Sequence, residues 1–113
     1  MLEGLARQLK KGSTPTLLLS LLKERPMYGY QMGAELSRRT DGGLTASEGS
    51  LYPTLHQLEA HGLIEGFWQT PAGGRARRYY RLTPRGRKAT RTASADLRRF
   101  ASTLLTLVPE AST

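Results

Sequence analysis

The chain has 113 residues, no cysteine, and 17 Lys and Arg against nine Asp and Glu, a formal net charge of +8. That length holds one domain with a modest core, and the lack of thiols excludes a disulfide framework and a thiolate metal site. No apolar run nears the roughly 18–20 residues that cross a bilayer, so the expectation is a cytoplasmic protein off the membrane, whose basic surplus suits a polyanionic partner.

Leu2, Leu5 and Leu9 fall on one side of a short amino-terminal helix, residues 2–11, which Gly12 closes. Its amphipathic pattern lacks the long apolar stretch of a secretory signal. Thr14-Pro15 has the cap-then-proline order that opens a second helix. Leu17, Leu18, Leu19, Leu21 and Leu22 make that helix too apolar for a surface, so it is predicted to be core, ending at Arg25-Pro26. Tyr28-Gly29-Tyr30 leads into a third helix with Met32 and Leu36 inward and Asp41-Gly42-Gly43 as its stop. Thr45, in a Thr45-Ala46-Ser47-Glu48 capping box, or Ser47 caps a fourth helix, with Ser47 the favoured one. Gly62 should end it in the left-handed position, with Leu63 closing onto Leu58.

Two extended runs, 63–70 and 75–83, joined by Pro71-Ala72-Gly73-Gly74, predict a β-hairpin. Thr83-Pro84 repeats the cap-then-proline signature and starts a last helix, 84–108, before a tail at 109–113.

The fourth helix carries the first functional signal. Leu51, Leu55 and Leu58 define its buried face, and Gly49, Ser50, Pro53, His56, Gln57 and Ala60 fall opposite, without a full charge among them. An ordinary solvated face would carry Lys and Glu; this one is shaped for close approach by something bulky. Gly49 and Ser50 leave backbone N–H groups at the positive end of the helix dipole, where phosphate oxygens bind well. Tyr52 lies at the flank, within reach of a phosphate. A short helix, a Gly-containing connection and this second helix make a helix-turn-helix pattern, and the hairpin makes it winged.

On the second strand Arg75, Arg77, Tyr79 and Arg81 alternate onto one face, and Ala76, Arg78, Tyr80 and Leu82 onto the other. Such a ribbon can follow a phosphate backbone or enter a minor groove. One of Tyr79 and Tyr80 is expected in the core with Leu82, and Trp68, the single tryptophan, reads as a packing residue.

In the last helix Ala89, Ala93, Leu97, Phe100, Leu104 and Leu107 follow a coiled-coil spacing. A chain this small has used its core to assemble the winged module, so the stripe needs a partner, each fully buried large side chain contributing roughly 1.5–3 kcal/mol. A second copy is the simplest one, with Leu2, Leu5 and Leu9 adding to the contact. A homodimer of this kind matches a palindromic operator in double-stranded DNA. Catalysis has no support: Ser50 and His56 do not share a helix face at i+3 or i+4, and His56 and His61 are five apart with no carboxylate cluster. The expectation is a non-enzyme without metal or cofactor.

The segments PMYGYQM (26–32), LTASEGSLYPTLHQLEAHGLIE (44–65) and GGRARRYYRLTPRGR (73–87) resemble the PadR family of bacterial transcriptional regulators. With the Leu-rich second helix, the resemblance covers residues 14–87. It implies a mainly α fold with a small β-hairpin (α+β), a winged helix-turn-helix over 1–83, and a carboxy-terminal dimerisation helix over 84–108. One such helix fits after residue 84, which resembles the family's short subgroup.

The resemblance also implies DNA contacts at Ser47, Gly49, Ser50, Tyr52 and Pro53, then at Arg75, Arg77 and Arg78, with Tyr30 matching the family's Gly-Tyr motif. Gln57 joins them by its place on the same face. Dimer contacts are expected at Leu2, Leu5, Leu9, Ala93, Leu97, Phe100, Leu104 and Leu107.

Some short members of the family bind planar aromatic drugs through a tryptophan on the last helix; this sequence has none there. Others answer phenolic acids. The resemblance leaves room for a small apolar or aromatic effector near Leu9, Leu97 and Phe100 that relieves repression. The alternative is a dimeric ligand- or protein-binding module with weak or lost DNA binding.

Overall fold

The computed structural model describes residues 4–110, without the side chains of Leu5 and Ala6; the expectations on Leu2 and on the Leu5 side chain lie outside it. In chain order it has α1 (Leu5–Glu24), β1 (Met27–Tyr28), α2 (Gly29–Arg39), α3 (Glu48–Ala60), β2 (Ile64–Gln69), β3 (Arg77–Leu82) and α4 (Pro84–Leu107).

The two expected amino-terminal helices are one. Gly12 and Pro15 both lie inside α1. Proline has helical φ itself and removes one bond, the one its nitrogen cannot make to the Lys11 carbonyl. The hydroxyls of Ser13 and Thr14 meanwhile donate to the carbonyls of Leu9 and Lys10 at 2.9 and 2.7 Å. Downstream, Leu18, Leu19, Leu21 and Leu22 are buried, which stabilises the helix by more than the roughly 3 kcal/mol that an interior proline costs. The helix ends where predicted, with Arg25 extended before Pro26.

The expected hairpin is part of a three-stranded antiparallel sheet of order β1-β3-β2. Met27 and Tyr28 pair with Tyr80 and Tyr79. A two-residue strand has no periodicity to read, and β1 exists because β3 offers it an edge. Between β2 and β3 the register runs from Ile64↔Leu82 at the root to Gln69↔Arg77 toward the tip. The core joins the α1 leucines to Met27, Met32, Leu36, Leu51, Leu55, Leu58, Ile64, Tyr80 and Leu82.

As expected, one tyrosine of β3, Tyr80, joins Leu82 in the helical core, and Tyr79 is buried as well. Tyr80 faces the helices, while Tyr79 lies on the other face, edge-on to Tyr28 at 5.1 Å and stacked with Phe67 at 5.8 Å. The two strands flanking β3 supply that aromatic cover.

The end of α3 follows the sequence closely. Gly62 has φ +73°, the Leu63 amide donates to the Leu58 carbonyl at 3.0 Å, and the Gly62 amide donates to the Glu59 carbonyl at 2.9 Å. These two bonds close a Schellman motif.

α4 begins at the Thr83 cap, whose hydroxyl accepts the Gly86 amide at 3.0 Å. Its first half packs along α1, with Ser20 and Ser94 hydroxyls 3.2 Å apart and Thr90 buried. Ala89, Ala93 and Leu97 are already half-buried within one chain, so the stripe does not wait for a partner along its whole length. Every described residue from Arg98 onward is exposed. The helix carries Phe100, Leu104, Leu105, Leu107 and Val108 into solvent, and the molecule measures 51 × 28 × 24 Å.

Candidate nucleic-acid interface

The connection between α2 and α3 is held close to α2 by the absence of a side chain. A β-carbon on Gly33 would collide with the Ala46 carbonyl. Thr40 secures the start of the connection, its hydroxyl donating to the Leu36 carbonyl at 2.6 Å and accepting the Leu44 amide at 2.9 Å. The chain then reaches Ser47, whose side chain caps α3 by accepting the Ser50 amide at 3.3 Å, while the Ser50 hydroxyl donates to the Ser47 carbonyl at 2.9 Å. The sequence suggested the Ser50 amide as a free donor, but the cap consumes it. The amides of Glu48 and Gly49, in the first turn, are the ones without an acceptor inside the helix.

Along α3 the alternation of faces is as the spacing predicts. Leu51, Leu55 and Leu58 are buried; Gly49, Ser50, Pro53, His56, Gln57 and Ala60 are exposed. Tyr52 stands on the flank, its ring 5.8 Å from the His56 imidazole. Tyr30, at the start of α2, is 65% exposed and lines an open groove of about 550 Å³ together with Gly33, Ala34, Ser47 and Gly49. Glu48 is the one acid of this groove, and it packs against Gly29.

A second cleft, of about 190 Å³, separates α3 from the wing. Tyr28, Gly29, Glu48 and Tyr52 line one side, and Trp68 with residues Arg75 to Arg78 the other. Trp68 is 67% exposed and so is not the packing residue that the sequence suggested. The reason lies in the register: Ile64 is buried at the root of β2, but the strand has left the helical core behind by position 68.

The wing arginines differ in their surroundings. Arg75 is exposed beside the tip, where the Gly74 amide donates to the Pro71 carbonyl at 3.0 Å. Arg77 lies over the Tyr28 ring at 5.3 Å. Arg78 pairs with Glu59 on α3 at 3.0 Å. Arg81 pairs with Glu65 across the sheet at 2.8 Å and covers Phe67 at 4.5 Å. Sequence alternation alone could not separate these four.

Away from the grooves, Glu24 and Glu35 are matched by arginines. Arg39 holds Glu24 with two bonds of 2.6 Å and Glu35 at 2.8 Å, and Arg38 reaches the same Glu35 carboxylate at 2.8 Å. Bonds from Arg38 and Arg39 pull the Glu35 carboxyl down to about 2, and the Arg39 bond holds Glu24 below its ordinary value. The cleft beside the wing carries Arg75, Arg77 and Arg78 against the single carboxylate of Glu48 in its lining.

The remaining expected positions divide between buried and projecting. Ala93 and Leu97 are half-buried, whereas Leu9, Phe100, Leu104 and Leu107 are exposed. Two residues of the site went unmarked in the sequence, Glu48 and Glu59. A helix-periodic reading sees Glu48 as a first-turn acid and Glu59 as a surface charge, and only the folded sheet brings Arg78 to Glu59. Among the described residues no group of His, Asp and Glu could hold a metal ion, and no helix is long and apolar enough to cross a membrane.

Residues 18–92 match the Transcriptional regulator PadR-like family. The chain is 41% identical over 83 residues to transcriptional regulator Rv3488 of Mycobacterium tuberculosis, an alignment covering 74% of each protein. Among solved structures, it is similar to a transcriptional regulator from Clostridium thermocellum (TM-score 0.79, 27% identity, 90% of this chain and 96% of that one). It is equally similar to a PadR-like transcriptional regulator from Bacillus cereus (TM-score 0.79, 26% identity, 92% and 99%).

Proposed function

Because the chain belongs to the PadR-like family of transcriptional regulators, we propose that it is a homodimeric repressor binding a palindromic operator, released by a small apolar or aromatic effector. The observation that carries this reading is that α3 and the wing share a cleft: Tyr52, on the flank of the uncharged outer face of α3, lines it together with Arg75 and Arg77. Ser47, Gly49, Ser50, Pro53 and Gln57 meet base edges in the major groove, and Tyr30 and Tyr52 meet flanking phosphates. Arg75 and Arg77 follow the backbone or the adjacent minor groove. The chain acts by binding and not by catalysis.

The dimer supplies the symmetry. Phe100, Leu104, Leu105, Leu107 and Val108 leave a broad apolar surface on the exposed half of α4, and a second copy covers it with the same residues. Two recognition helices then meet half-sites about one helical turn apart, or a multiple of it. An effector held between copies, near Leu9, Leu97 and Phe100, changes the spacing of the two modules and with it the affinity for DNA.

The test is selection of bound genomic fragments, followed by titration of the recovered duplex between 50 and 200 mM salt. Binding that contacts six or more phosphates weakens by about 10³-fold or more over that range. A flat response would instead support a dimeric ligand- or protein-binding module.

A further inference from the structure

The geometry points to Glu59 as a positioning residue: through Arg78 it braces the outer half of the wing against α3 and so aims Arg75 and Arg77. This rests on the DNA-binding reading above for its function, but not for its physical content.

The pair spans two elements. Glu59 is in the last turn of α3 and Arg78 is on the helix-facing side of β3, with the guanidinium Nη2 3.0 Å from the carboxylate. Each side chain is only about one-third exposed (35% and 33%). The guanidinium is confined on further sides, lying 5.9 Å from the centre of the Trp68 ring and 5.8 Å from that of Tyr80. Below it the sheet has no side chain: a β-carbon on Gly66 would stand 2.5–2.7 Å from three guanidinium atoms. A planar cation with a carboxylate at its edge, aromatic rings beside it and a glycine beneath has one place to sit.

The position along the wing gives this contact leverage. At the root, the Leu63 amide bonds the Leu58 carbonyl, and Thr83 bonds the Gly62 carbonyl at 2.6 Å. Arg78 pairs with Trp68, four residues beyond Ile64, or about 13 Å further out at roughly 3.3 Å per residue. Arg77 and Arg75 follow within three residues toward the tip, Arg77 on β3 and Arg75 in the connection just before it. With Glu59 neutralising its charge, Arg78 acts on DNA through where it holds its neighbours.

Two readouts on Glu59→Gln, Arg78→Gln, the double variant and Gly66→Ala test this. The first, amide hydrogen exchange without DNA, should quicken about tenfold or more at 66–69 and 77–80 in every variant, with the α1 and α4 amides unchanged. Unchanged exchange in the outer wing overturns the brace whether or not the protein binds DNA. The second is affinity for the selected operator across salt. Each variant should lose about tenfold with the salt slope preserved, and the double should be no worse than either single variant.

A direct phosphate contact predicts otherwise. Arg78→Gln would lower the slope by about 0.9, and Glu59→Gln, which removes a negative charge, would keep or raise affinity; that pattern overturns the proposal. A wild-type protein that binds no duplex defeats the operator reading alone and leaves the exchange result to decide the brace.

Discussion

A β-carbon built on Gly49 would meet the hydroxyl oxygen of Ser47 at 3.9 Å and nothing nearer. The fold therefore has room for a side chain at Gly49, on the exposed face of α3. Glycine is also the weaker helix former, by roughly 1 kcal/mol relative to alanine. Gly49→Ala is expected to raise the thermal midpoint slightly, and Gly49→Leu to keep the protein folded. Both should weaken operator binding, the leucine by about tenfold or more, roughly 1.4 kcal/mol. Wild-type affinity for Gly49→Leu in a mobility-shift titration would remove the front of α3 from the contact.

Arg75 and Arg77 lie on the cleft beside α3. Replacing both by alanine should weaken binding to all duplex sequences alike. The slope of log K against log salt should fall by about 1.8, at roughly 0.9 for each phosphate that is no longer neutralised. An unchanged slope would mean that the wing does not touch the backbone.

Phe100 and Leu104 test dimerisation more cleanly than Leu97, because both are exposed in the single chain while Leu97 is half-buried. Phe100→Asp with Leu104→Asp should leave the circular dichroism of one protomer intact and give the mass of a single chain by light scattering. Operator affinity should fall with it. A dimer mass for this variant would place the contact elsewhere.

Gly86 opens α4 directly against the backbone of Leu63, where a β-carbon would collide with the carbonyl. Backbone cannot rotate aside as a side chain can. Gly86→Ala is expected to destabilise by about 1–3 kcal/mol or more, seen as a lower urea midpoint. Stability equal to wild type would show that the start of α4 shifts freely against Leu63.

Glu35 is held down to about 2 from an ordinary 4.5 by bonds from Arg38 and Arg39. A carboxylate lowered on folding adds stability that is fully present above 4.5 and is lost as pH falls toward 2. Glu35→Gln should therefore reduce the loss of stability over that window and matter little to its steepness above pH 5. Identical acid unfolding curves for variant and wild type would show that the pair is not maintained in solution.

Features that depend on a few neighbouring residues were legible in the chain. The caps at Ser47 and Thr83, the left-handed stop at Gly62 with Leu63 returning to Leu58, and the uncharged outer face of α3 all arise from bonds or spacings within one or two helical turns. The winged pattern and the family resemblance rest on these same local motifs, and the fold agrees with both.

Other features depended on what lies across the molecule. Gly12 and Pro15 read as a break, yet α1 runs through them because its leucines are buried by elements far along the chain. β1 needed the edge of β3, Tyr79 needed rings from two other strands, and Trp68 was exposed by how far β2 outruns the core. Arg78 shows the division most plainly: its alternation on the strand was written in the sequence, but its carboxylate partner at Glu59 was not. Local hydrogen bonding and periodicity act over a few residues and can be read one stretch at a time, whereas burial and ion pairing are settled only when distant stretches meet.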